Sequence, residues 1–196
     1  MNRNLRLLAR GGLLVAAAGL AGCSGTGGKQ ETSGPPAGGD EAIPTPIIAV
    51  AELSPTQGND VRGTVIFSQE SDGVHVVANL TGLTPGEHGF HVHEKGDCSA
   101  PDGSSAGGHF NPTNMPHAGP DAAQRHAGDL GNITADAKGE GHYDRVDSHL
   151  SLEGDHAIVG LSVIVHGGKD DFTSQPSGNA GPRVACGVIE LKSATP

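Results

Sequence analysis

From residue 47 onward, apolar and polar residues alternate with a period of two in short runs, as at 61–69, 74–80 and 184–191, and Gly, Pro, Asn or Asp interrupts each run after a few residues. Such alternation turns one face of an extended chain to a core and the other to water, so each run reads as a β-strand. Runs at 47–53, around Phe90, and at 132–135, 142–147 and 157–166 bring the number to about eight. Glu70-Ser71-Asp72-Gly73 and Ala137-Lys138-Gly139-Glu140 supply residues that reverse a hairpin. The pattern predicts an all-β domain, an eight-stranded antiparallel Greek-key sandwich or barrel. Two stretches, 94–128 and 167–183, lose the alternation and are rich in Gly, Pro, Asp and Ser. Long irregular segments inside a compact domain are usually functional, so these are expected to be two long functional loops.

Composition adjusts this picture in three ways. A chain of 196 residues has room for one core, and with 32 Gly, 13 Pro, no Trp, one Tyr and four Phe that core falls to Val, Ile, Leu and Ala. The net charge of -10, with Lys and Arg scattered, argues against a nucleic-acid partner, because phosphate binding needs clustered cations. The beginning of the chain lies outside the β pattern. Arg3, Arg6 and Arg10 precede an apolar run at 13–20 and then Leu20-Ala21-Gly22-Cys23, which is the layout of an export signal. The run is too short to span a bilayer. Leu20-Ala21-Gly22-Cys23 resembles the bacterial lipobox, whose cysteine becomes the lipidated first residue. The expected organisation is a signal peptide at 1–22, a flexible Gly- and Pro-rich linker at 23–42, and a folded domain at 43–196. The protein is then exported and held on the outer side of the cell membrane only through lipid on Cys23.

The chain has eleven histidines, and their spacing carries the chemistry. In Gly89-Phe90-His91-Val92-His93-Glu94 the two rings project from one strand face, roughly 6.6 Å apart, close enough to converge on one ion. His109, His117, His126 and Asp129 fall within 21 residues and form a nitrogen and oxygen set of the kind tetrahedral zinc accepts. His166 ends an apolar run where a strand enters a loop.

Gly89-Phe90-His91-Val92-His93-Glu94, Gly108-His109-Phe110-Asn111-Pro112, Gly128-Asp129-Leu130-Gly131-Asn132 and Gly178-Asn179-Ala180-Gly181-Pro182-Arg183-Val184-Ala185-Cys186-Gly187 occur in the order seen in copper,zinc superoxide dismutases, and the resemblance covers about 47–191. It implies copper ligands at His91, His93, His109 and His166, zinc ligands at His109, His117, His126 and Asp129, and a bridging role for His109. It also implies dismutation of superoxide to oxygen and hydrogen peroxide through alternating reduction and reoxidation of copper, with His109 as ligand and proton carrier and Arg183 as the anion dock. Asp170 or its neighbour Asp171 matches the carboxylate that joins copper and zinc ligands through their outer nitrogens. Cys98 and Cys186 match the family's disulfide. His88 and His156 match positions with structural hydrogen bonds, while His75, His142 and His149 are expected at the surface. The second loop is short, leaving Arg183, bound copper and Lys95 or Lys169 to supply a positive field for the substrate. The state of assembly is expected to be monomer or homodimer. A non-catalytic copper/zinc-binding module on the same fold would lack a copper ligand or the arginine, and this sequence keeps both.

Overall fold

A computed structural model describes residues 46–192. The signal segment, Cys23 and the linker lie outside the described residues. Eight strands, β1 (Ile48–Pro55), β2 (Arg62–Glu70), β3 (Gly73–Thr81), β4 (Gly86–His93), β5 (Asp129–Ala135), β6 (Gly141–Asp147), β7 (Ser162–His166) and β8 (Arg183–Lys192), close into a barrel in the spatial order β1-β2-β3-β6-β5-β4-β7-β8. Every neighbouring pair, including β1 with β8, is antiparallel. The chain crosses the barrel twice, from β3 to β4 and from β6 to β7, which gives the Greek key. Closure leaves no open sheet edge.

Alternation explains the core. Ala49, Ala51 and Leu53 of β1, Val65 and Phe67 of β2, and Val74, Val76, Ala78 and Leu80 of β3 are buried, while their sequence neighbours face outward. Fully burying a side chain such as Phe67 contributes roughly 1.5–3 kcal/mol. The two hairpin turns lie where the sequence puts them, β2 reversing into β3 at Glu70 and Gly73 and β5 into β6 around Gly139. Asp136 Oδ1 accepts the backbone N–H groups of Lys138 and Glu140 at 2.8 and 3.0 Å and so closes the second turn.

One expected strand is shorter than its apolar run. Residues 157–161 do not extend β7, because Gly160 adopts φ +85°, Leu161 N–H turns back to Ile158 O, and Ala157 makes only an isolated bridge with Ser151. Among the described residues the sole helical element is a 3₁₀ turn at Ser104–Ala106, and no helix is long and apolar enough to cross a membrane.

β4 and β7 depart from one-sided burial. Phe90 and Val92 enter the barrel core, yet His91 and His93 on the outer face are buried as well, as is Ile164 of β7. The two long loops roof this part of the barrel. The first, at 94–128, is fastened to β8 by a disulfide between Cys98 and Cys186, and the second, at 167–182, lies against it. A polar face of the sheet thereby becomes an enclosed site.

Candidate metal centre

β4 delivers His91 and His93, β7 ends in His166, the first loop contributes His109, His117 and His126, and β5 begins with Asp129. The bridge between His93 and His109 extends the sheet into the loop and brings His109 over β4, where its ring centroid lies 4.0 Å from that of His91. Two groups result, His91, His93, His109 and His166, and His109, His117, His126 and Asp129. Within each, the potential ligand atoms all lie within 4.8 Å of one another, and His109 belongs to both.

Outer nitrogens are pinned. His91 Nε2 donates to Asp170 Oδ2 at 2.8 Å, His93 Nδ1 to Gly107 O at 3.0 Å, His166 Nδ1 to Gly181 O at 3.1 Å, and His117 Nε2 to Asp170 Oδ1 at 3.0 Å. An acceptor on one ring nitrogen fixes the proton there and leaves the other nitrogen with a lone pair. Those other atoms, Nδ1 of His91 and His117 and Nε2 of His93 and His166, are buried without a hydrogen-bond partner, as are His109 Nε2 and His126 Nδ1. Six such atoms in two foci would be costly, roughly 1–3 kcal/mol each, if they faced nothing. Cations satisfy all six, so the residues fit two metals.

The foci differ in chemistry. Asp129 Oδ1 lies 2.8, 3.0 and 3.2 Å from Nδ1 of His109, His117 and His126. Ligand bonds of 2.0–2.1 Å arranged tetrahedrally would set such atoms about 3.3 Å apart, so these spacings suit zinc. Asp129 Oδ2 accepts the N–H groups of Ala118 and His126, which holds the carboxylate still. The other focus offers four imidazoles and opens to a cleft of about 710 Å³, the arrangement suited to copper with a free position.

Electrostatics prepares both sets. Burial pushes His91 down to about 3 and His166 to about 4, and it holds His93 and His109 below the ordinary imidazole range. All four rings are therefore neutral at pH 7. Burial also disfavours charge on Asp129 and Asp170, but hydrogen bonds from the surrounding rings outweigh it and keep both well below the usual carboxylate range. His117 is the exception. Burial acts against its charge, yet Asp129 and Asp170 prevail and raise it to about 9, so a proton stands where a cation would.

The model of the family described as copper/zinc superoxide dismutase (SODC) matches residues 61–189. The chain belongs to the copper/zinc superoxide dismutase family. It is 43% identical over 155 residues to the extracellular superoxide dismutase (Cu-Zn) of Brugia pahangi, covering 74% of this chain and 76% of that protein. It is 45% identical over 155 residues to superoxide dismutase (Cu-Zn) 2 of Mesembryanthemum crystallinum, covering 75% and 97%. The crystal structure of the clock protein EA4 aligns with a TM-score of 0.69 and 46% identity over 76% of this chain and 98% of that one.

In this member of the superoxide dismutase family, Arg183 at the start of β8 lines the cleft beside His93, His109 and His166. Its Nη1 and Nη2 donate to Gly103 O at 2.6 Å and Gly107 O at 2.5 Å. Asp170, fully buried, spans His91 and His117, whereas Asp171 is exposed and caps the turn at Thr173 and Ser174. Neither Lys95 nor Lys169 lines the cleft, and Lys169 pairs with Glu87 at 2.5 Å. Of the two histidines expected to make structural hydrogen bonds, His88 donates from Nδ1 to His166 O at 2.8 Å, with its Nε2 beside Thr84, whose hydroxyl is 3.3 Å away. His156 departs from that expectation, being exposed in the turn after Leu152. His75 pairs with Asp144 and is half-buried, His142 is exposed beside Asn79, and His149 is exposed beside Arg125.

Sequence reasoning missed the supports. Arg125 is buried, its Nη2 bonded to both oxygens of Asp147 at 2.6 and 2.7 Å and its Nη1 to the carbonyls of His126, Ala127 and Asp129, which fixes the chain leading to Asp129. Adjacency to His126 was the available signal. Asn132 grips the Asp170 backbone at both its N–H and C=O.

Proposed function

We propose that the protein dismutates superoxide, with copper held by His91, His93, His109 and His166 and zinc by His109, His117, His126 and Asp129. The observation that carries this reading is the single ring shared by both groups, His109, with Nδ1 against Asp129 and a bare, buried Nε2 facing His91, His93 and His166. Copper held there would supply one-electron chemistry, by which one superoxide is oxidised to oxygen and the next reduced to peroxide, and zinc, lacking a second accessible oxidation state, would have a structural part. Arg183, its guanidinium fastened on one side by the Gly103 and Gly107 carbonyls, presents its remaining N–H groups to an anion in the cleft. His109 lines that cleft, and its Nε2, when not bonded to copper, would hold one of the two protons that hydrogen peroxide needs, the other coming from solvent, while Asp129 keeps the ring in position. Asp170 orients His91 and His117 through their outer nitrogens, so neither ring can turn from its focus.

The experiment is metal analysis with a superoxide assay on the purified protein, wild type beside His166→Ala and Arg183→Ala. Wild type should hold copper and zinc in equal amounts and dismutate, His166→Ala should lose copper and activity, and Arg183→Ala should keep both metals with a reduced rate. A wild type that binds copper and does not dismutate would favour the non-catalytic copper/zinc-binding module on the same fold.

We further propose export with the organisation read from the sequence, 1–22 removed, 23–42 a tether and 43–196 the enzyme. The Cys98–Cys186 disulfide, which persists in oxidising compartments, supports it. The tether ends in lipid on Cys23, which is the protein's only membrane attachment, and the enzyme acts as a monomer or homodimer. Metabolic labelling with a fatty-acid analogue should mark the wild type and leave Cys23→Ser unmarked.

A further inference from the structure

His117 is the one member of the zinc group carried on irregular chain far from any strand, since His109 is bridged to β4, His126 lies beside the buried Arg125, and Asp129 opens β5. What holds it comes from the other loop. The Gln175 side chain accepts from His117 N–H through Oε1 at 2.9 Å and donates to His117 O through Nε2 at 2.8 Å. An amide that satisfies both main-chain groups of one residue fixes its position and the direction of its Cα–Cβ bond, because two hydrogen bonds from one planar group remove rotation as well as translation. The same device recurs nearby, where Asn132 donates to Asp170 O at 3.0 Å and accepts from Asp170 N–H at 2.8 Å. Asp170 in turn binds His117 Nε2. The second loop therefore grips His117 at its backbone through Gln175 and at its ring through Asp170. Phe172 adds a packing contact between the loops, its ring set so close to Gly119 that a Cβ there would lie 3.1 Å from it.

We propose that Gln175 is a positioning residue for the zinc site, clamping the main chain of His117 so that the ring meets the cation without first being ordered. The proposal rests on the copper and zinc assignment above. Without the clamp, zinc must order a segment of chain as it binds, and it leaves whenever that segment opens. Copper ligands on β4 and β7 have no such dependence.

The test uses the copper- and zinc-loaded protein and two variants, Gln175→Ala and Gln175→Met, the second keeping the length and apolar volume of the side chain without its hydrogen bonds. Zinc release to a chelator is followed with copper content, and cobalt is placed in the zinc site to read its coordination from visible absorption. Both variants should release zinc about tenfold faster or more, the scale seen when a support of a ligand is removed. They should keep copper and show a changed cobalt spectrum, and the metal-free forms should still unfold cooperatively, within several degrees of wild type, as two lost hydrogen bonds allow. Zinc release by Gln175→Met within twofold of wild type would overturn the proposal, as would equal losses of copper and zinc. If wild type itself takes up no zinc, the assignment of the site fails instead, and the two failures are told apart by that control.

Discussion

Gly178 has φ +68°, a region open to glycine, and a Cβ at that position would collide with the Asp170 carboxylate and come within 2.7 Å of His117 Nε2. Gly178→Ala should therefore disturb the Asp170–His117 contact directly, in addition to roughly 1–2 kcal/mol for the left-handed backbone. The expected outcome is a loaded protein that melts several degrees lower and loses zinc on dialysis, read by calorimetry and metal analysis. The titrating side chains make a second prediction, for the metal-free protein. His91 and His166, lowered by burial to about 3 and about 4, stay neutral in the fold while the same rings in the unfolded chain take protons near 6.5, so stability falls as pH drops below that value. Asp129 and Asp170, held low by their histidine partners, add a further loss as pH falls through 3.8. His117 has the opposite sign. Raised to about 9 because Asp129 and Asp170 outweigh burial, it contributes stability that is complete below 6.5 and lost as pH rises through 9. Urea unfolding of the metal-free protein should thus be hardest near pH 6–7 and easier on either side. Zinc takes the place of the His117 proton, so the alkaline decline should vanish on loading.

At the scale of elements, the disulfide ties the first loop to β8 three residues beyond Arg183 and closes 88 residues of sequence. In the chain-entropy account that closure stabilises the fold by roughly 4–5 kcal/mol, and its loss should lower the melting temperature by more than 10 °C. The Gly103 and Gly107 carbonyls that hold Arg183 belong to the tethered loop, so Cys98→Ser should also weaken superoxide turnover at temperatures where the protein remains folded and metal-loaded. Thermal unfolding and the superoxide assay check the two effects separately. Strands such as β1 and β3 were legible because they alternate with a period of two, and each predicted run overlaps an observed strand, with 132–135 starting three residues inside β5 and 157–161 lying outside β7. The last of these is a stretch whose residues are apolar enough for a strand but whose Gly160 turns it, a tertiary choice that periodicity does not record. The candidate site was legible in its donor atoms, since imidazoles and carboxylates announce themselves at particular spacings. Gln175 and Asn132 were not, because an amide that hydrogen-bonds main chain has no periodicity and its partners lie 58 and 38 residues away, and Arg125 was marked only by standing next to His126.

For the whole molecule, an anionic substrate approaches a chain of net charge -10. A positive funnel would offset this, yet Lys169 is engaged with Glu87, and among the described residues the cleft is lined by one cation, Arg183, and one carboxylate, Glu94. Glu94 follows directly on His93, and its Oε1 accepts the Gly108 N–H at 3.1 Å, so the charge is held at the mouth of the cleft as a by-product of shaping the loop. Gln offers the same acceptor without the charge. Glu94→Gln should keep the loop, both metals and the melting temperature, while removing a repulsion that acts only on approach. Exposed charges are screened over about 10 Å at 0.1 M salt and about 30 Å at 0.01 M, so the gain belongs to dilute buffer. The superoxide rate constant of Glu94→Gln should exceed wild type by about two- to fivefold at 0.01 M ionic strength and converge with it above 0.15 M. Wild type, with opposing charges at its entrance, should show a shallow salt dependence throughout. Pulse radiolysis across that range measures both curves, and a steep fall of the wild-type rate with salt would mean that an attractive field reaches the substrate from outside the cleft, in which case neutralising Glu94 should change little.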